Sequence, residues 1–166
     1  MSVTQSKIEL QQAARNVVSL LRTAAKETEE DRRFVVLGVS RERLLQEKQS
    51  FVRWISLWVF RNLAHKSWKV LGVELWDEVE KLIEPTDEQR KSWSRAEEYF
   101  GTTMELTARS DRPDHLPFNL GKTFAELCQQ PTNPKLGQYG EQMFEVTLGL
   151  TQHFMSHFEL IPTQPL

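Results

Sequence analysis

Residues 51–60 read FVRWISLWVF, and this run limits what the chain can fold into more than any other stretch. Only Arg53 and Ser56 interrupt its apolar character. A helix that is apolar nearly all round cannot lie on a surface and must be covered on several sides. Ten such residues are also too few to cross a bilayer, which takes about 20. The run therefore predicts the central helix of a soluble bundle. That helix is expected to start near Ser40, which can cap it, after a stop at Gly38, and to run to about Lys69 with a break or kink before Gly72.

Other helices follow from apolar spacing. Leu10, Ala14, Val17, Val18, Leu21, Ala24 and Ala25 predict a narrow, alanine-rich face over 7–27, followed by a charged run, Glu27–Arg33, that ends the helix or carries it into solvent. Leu75, Trp76, Val79, Leu82 and Ile83 predict an amphipathic helix over Val73–Ile83, ended by Pro85. Thr86 and Gln89 form a T-x-x-Q capping box for a helix reaching about Arg109, with Trp93, Ala96, Phe100, Thr103, Met104 and Thr107 inward. Loops at 110–119 and 130–140 flank a short helix near 120–129. A last helix over 141–159 turns Met143, Val146, Leu150, Phe154 and Phe158 inward, and IPTQPL is an extended tail.

Phe34–Val39 (FVVLGV) is the one run with strand character. With no second β-rich run to pair with, it reads as an apolar turn or helix end. The VLGV at 36–39 recurs at 70–73, but the flanks diverge and no third copy follows, so a repeat architecture is not indicated. The expected fold is all-α, one domain spanning 1–166, a bundle of five or six helices. Its 166 residues suffice for one core. The lone Cys128 allows no intramolecular disulfide and fits the apolar pattern of Leu120, Phe124 and Leu127. The first ten residues lack the basic-then-apolar layout of a secretory signal, so the expected location is cytoplasmic, with no membrane contact.

Charge is unevenly spread. Residues 41–72 hold seven basic side chains against two acidic, while residues 73–98 hold four against nine, in a chain of net charge −2. Trp54, Trp58 and Trp68 lie within the basic segment. Basic side chains neutralise phosphates and release counterions, which gives affinity independent of base sequence. Arg43, Arg53, Arg61, Lys66 and Lys69 are the expected contact residues. Trp54 and Trp58, at helical spacing, read as core rather than as base-stacking platforms. The same cations can instead complement the acidic helix 73–84, or meet an acidic protein.

Catalytic signals are sparse. His153 and His157 share a helix face at i, i+4, a spacing able to hold zinc, but nothing in the sequence supplies a third ligand and no H-E-x-x-H is present. Gly121-Lys122-Thr123 lacks the earlier glycine and preceding strand of a phosphate-binding loop. Neither a G-x-S-x-G nor a C-x-x-C occurs. The expectation is a non-catalytic protein without cofactor or metal. In size, helical character and one-sided basicity it resembles the small helical subunits of RNA-guided CRISPR interference complexes, in gross features only and in no specific motif. That resemblance implies nucleic acid (RNA or single-stranded DNA) and other protein subunits as partners. The alternative is a protein–protein adaptor or regulatory module with an acidic partner.

Overall fold

The computed structural model describes residues 4–164, and within them the fold is all-α, with one small two-stranded sheet. Seven α-helices are present, where five or six are expected: α1 (Leu10–Ala24), α2 (Glu29–Val36), α3 (Arg41–Asn62), α4 (Lys66–Ile83), α5 (Asp87–Ala108), α6 (Leu116–Leu127) and α7 (Pro134–His157).

α3 is the central element. It packs against all six other helices, and every side chain from Ser50 to Leu57 is buried. Phe51 stacks on Phe100 with ring centroids 4.2 Å apart and on Phe124 at 5.5 Å, which ties α3 to α5 and α6. Further along the molecule, Phe60 stacks on Trp68 at 5.9 Å and Trp68 meets Phe154 edge-on at 5.4 Å, joining α3, α4 and α7. The capping predictions hold. Ser40 Oγ accepts from the Arg43 N–H, and Thr86 and Gln89 close a reciprocal box.

Several boundaries differ from expectation. α3 stops at Asn62, and α4 starts at Lys66 and runs straight through Gly72, so the break lies at 63–65, ahead of the expected helix end near Lys69. The charged run at 27–33 is neither a helix end nor a solvated extension. It opens α2, because Thr28 and Asp31 form a capping box that starts a new helix. α2 then absorbs Phe34–Val36, the first half of the supposed turn. Residues 7–9, expected in the first helix, belong instead to strand β1 (Ser6–Glu9), which pairs in parallel with β2 (Phe158–Ile161). β2 takes residues assigned to the last helix and its tail; the last two residues of that tail lie outside the described residues. The loops at 110–119 and 130–140 each contain the start of a helix, at Leu116 and Pro134. The two VLGV copies differ in structure, one ending α2 and the other inside α4.

Burial corrects three inward assignments. Leu82 is exposed, as are Val146 and Leu150 on α7. The inner stripe of α7 follows Leu136, Gly140, Met143, Thr147 and Thr151, with Gly140 closest to α6, which leaves Val146 and Leu150 outward. α6 and α7 make the most extensive helix contact. Gly121 makes it possible: a Cβ there would lie 2.2 Å from the Gly137 carbonyl oxygen. The glycine of the Gly-Lys-Thr string is thus accounted for by helix packing.

Candidate nucleic-acid interface

The seven cations of the basic segment divide into two groups. Four are paired within the chain, Arg41 at the surface and the other three buried or half-buried. Lys48 is buried, and its Nζ donates to Asp31 at 2.8 Å and to the Lys26 carbonyl at 2.7 Å. Asp31 also accepts from the Tyr139 hydroxyl and the Thr28 N–H, so one carboxylate binds α2, α3 and α7 together. Arg41 makes a two-pronged pair with Glu27, at 2.8 Å for each bond.

Arg53, an expected contact residue, is 6% exposed. Its guanidinium meets Glu80 at 2.5 Å and Glu97 at 3.2 Å, and lies over the Trp93 ring at 4.1 Å. Those partners come from α4 and α5, the acidic region of the chain. Arg53 therefore works as an internal tie between the basic and acidic segments and presents no free charge. Arg43, a second expected contact, is half-buried. It donates from Nε to the Leu127 carbonyl at 3.0 Å and lies 3.4 Å from Glu47.

Glu47 sits between Arg43 and Arg95 and is fully buried. Burial pushes its carboxyl above the usual range, and the two arginines only partly oppose this. Cys128 nearby is buried, and burial together with the Glu47 charge pushes its thiol up to about 12. A thiol so placed is held protonated and packs as an apolar group.

The remaining three, Arg61, Lys66 and Lys69, are exposed around the turn between α3 and α4. Among the described residues none of them makes an ion pair. His65, also exposed, caps α4 without a side-chain bond, and Lys66 follows with φ +52°. The turn borders a cavity of about 740 Å³ lined by His65, Lys66, Ser67, Trp68, Gln152 and Ser156 among others. α4 starts at this corner without a side-chain cap, and a helix start favours negative charge.

Of the three tryptophans, Trp54 and Trp68 are core. Trp68 donates from its indole to the Phe158 carbonyl at 2.8 Å. Trp58 is half-buried and lines a hollow of about 180 Å³ with Arg61, Asn62 and Glu97.

His153 and His157 lie on one face with ring centroids 4.1 Å apart, and among the described residues no three His, Cys, Asp or Glu side chains converge on one point. Nor is any described helix long and apolar enough to cross a membrane. The sequence reading missed the exposed Val70 and Val73, which follow Lys66 and Lys69 on the outer face of α4. Their signal was hidden by starting the helix at residue 73 instead of 66. Comparison with known protein families, with curated proteins and with solved structures finds no match to this chain.

Proposed function

We propose that this chain is a non-catalytic helical subunit of a nucleoprotein assembly, contacting the nucleic-acid backbone through Arg61, Lys66 and Lys69. One observation carries the reading: these three cations gather at the α3–α4 corner without carboxylate partners, while Arg41, Arg43, Lys48 and Arg53 are each paired with a carboxylate of the same chain. The start of α4, which has no side-chain cap, adds a favourable field for phosphate. Trp58, beside Arg61, offers a partly exposed ring for an unpaired base.

The size of the patch sets the strength. Three phosphate contacts correspond to a slope of about −2 in log affinity against log salt for a single strand. Such a contact is weak on its own and suits a subunit held in place by neighbouring chains. The test is binding of single-stranded RNA and DNA oligonucleotides by the purified protein at low and high salt. Salt-sensitive binding that disappears in the Arg61→Glu, Lys66→Glu, Lys69→Glu variant supports the reading, and no binding at low salt rejects it.

A second reading is favoured by Val70 and Val73, which are 78% and 75% exposed beside Lys66 and Lys69. Apolar side chains next to free cations suit a protein surface. An adaptor would hold a protein partner on α4 and show no nucleic-acid affinity.

A further inference from the structure

A second cleft, of about 390 Å³, lies between the C-terminal half of α5 and the helix α6. That volume falls within the range of small-molecule sites, about 300 to 1,000 Å³. Thr103, Thr107 and Ser110 line it on the α5 side, and Asn119 and Thr123 on the α6 side.

The hydrogen bonds of these residues fix what the cleft offers to a ligand. A carbonyl oxygen only accepts, so a hydroxyl bonded to one gives up its proton. Thr107 donates to the Thr103 carbonyl at 2.7 Å, and Ser110 to the Thr107 carbonyl at 2.7 Å. Thr103 reaches the Tyr99 carbonyl at 3.0 Å, Thr123 reaches the Asn119 carbonyl at 3.1 Å, and the two hydroxyls lie 2.6 Å apart. Two protons serve those three bonds, so neither is left over. The lone pairs are a different matter. Thr107 accepts from Asn119 Nδ2 at 3.0 Å and Ser110 from the Arg112 N–H at 3.2 Å. A hydroxyl oxygen carries two lone pairs, so each of the hydroxyls keeps one. The cleft wall therefore presents acceptors and no hydroxyl donor.

The charges have the same bias. Glu126 also lines the cleft and is exposed, and among the described residues it makes no ion pair. Lys122 lines it too, but its Nζ lies 5.6 Å from the centroid of Phe118, a ring that lines the adjoining hollow. Arg109 and Arg112 nearby are paired with Glu105 and Asp114. The last turn of α5 holds no basic side chain, and a helix end favours positive charge.

We propose that this cleft binds a small organic ammonium ion, a protonated primary amine on a compact apolar body. The ammonium supplies the protons that the threonine and serine oxygens lack, and Glu126 is its counter-charge. Leu106, 64% exposed, and Pro131 supply an apolar wall for the body. A carboxylate or phosphate has no proton to offer and would face lone pairs and Glu126. The inference goes beyond the nucleic-acid reading and uses none of Arg61, Lys66 and Lys69.

The test is an NMR titration of the full chain, labelled at its threonine methyl groups, with 2-phenylethylammonium. Phenylacetate and 2-phenylethanol, with similar bodies, are the comparison ligands. The amine is expected to shift the Thr103, Thr107 and Thr123 methyl signals saturably with a Kd of about 1 mM. The anion and the alcohol should bind at least about tenfold more weakly. Glu126→Gln should weaken the amine about fivefold, and Glu126→Lys should abolish its binding, both with unchanged helicity because Glu126 is exposed. Lys122→Ala should bind it at least as tightly as the parent. The proposal is overturned if these methyl signals show no saturable shift up to about 20 mM amine, if phenylacetate binds as tightly, or if Glu126→Lys binds as the parent does. No oligonucleotide enters the titration, so its outcome is independent of the Arg61 corner reading.

Discussion

Burial alone would push the Asp31 carboxyl up, but hydrogen bonds from Lys48, Tyr139 and the Thr28 N–H outweigh it and hold the group below its usual range. Its contribution to stability is thus present above the ordinary carboxylate pKa and is lost as pH falls through the lowered folded value. Asp31→Asn should cost about 3 kcal/mol at neutral pH, because it leaves the Lys48 ammonium buried without its counter-charge. Urea unfolding at neutral and acid pH should also show a flatter acid limb in this variant. Glu47 has the opposite sign. Its raised carboxyl favours the folded state at low pH, and that contribution is lost as pH rises through the raised folded value. Glu47→Gln should therefore cost less than about 1 kcal/mol at neutral pH, since Arg43 and Arg95 are part-exposed and can rehydrate. Nothing local in the sequence distinguishes these two carboxylates from their solvated neighbours, and only the packing of α2 and α5 against α3 does so. Gly121 is similar. A Cβ there would meet backbone on both the Gly137 and Glu141 sides, so no side chain can yield. Gly121→Ala should lower stability by about 3 kcal/mol, measured by the shift of the urea midpoint.

Helix boundaries were legible where they depend on neighbours in sequence. Gly38 illustrates this. At φ +93° it ends α2, donating its N–H to the Val35 carbonyl while Val39 donates to Phe34. α6 ends in the same hydrogen-bond pattern, with Gln129 donating to Glu126 and Gln130 to Ala125, but here Gln129 sits at φ +63°. A non-glycine residue pays a steric cost in that conformation. Gln129→Gly should therefore stabilise the protein by about 1 kcal/mol, and Gly38→Ala should destabilise it by a similar amount, both read from thermal unfolding. The α3–α4 break was not legible, because Leu63, Ala64 and His65 include neither glycine nor proline. Its stabilisation is tertiary: Trp68 reaches the Phe158 carbonyl and the Phe60 and Phe154 rings only because the chain turns first. The sheet was hidden for the same reason. Each strand has four residues, and the partners lie about 150 positions apart.

Across the whole molecule, the segment that looked like one basic surface is two things. Its apolar run and three of its seven cations build the centre, with Arg53 joining the acidic helices where a solvent contact was expected. Of the other four, Arg41 pairs with Glu27 at the surface, and Arg61, Lys66 and Lys69 form a smaller patch at one corner. Sequence periodicity identified α3 as central and the class as all-α, because an all-round apolar helix has few alternatives. It could not separate buried from exposed cations, since Lys48 and Arg53 are buried against carboxylates that α2, α4 and α5 bring to them from distant positions. This division of labour is tested most directly by measuring thermal stability and single-stranded oligonucleotide affinity side by side in two variants. Arg53→Met should lose about 2 kcal/mol of stability through its lost aromatic and carboxylate contacts, with affinity for the oligonucleotide unchanged. The Arg61→Glu, Lys66→Glu, Lys69→Glu chain should keep its stability and lose the salt-dependent affinity. The account is contradicted if the triple variant binds as the parent does, or if Arg53→Met abolishes binding while the fold stays as stable as before.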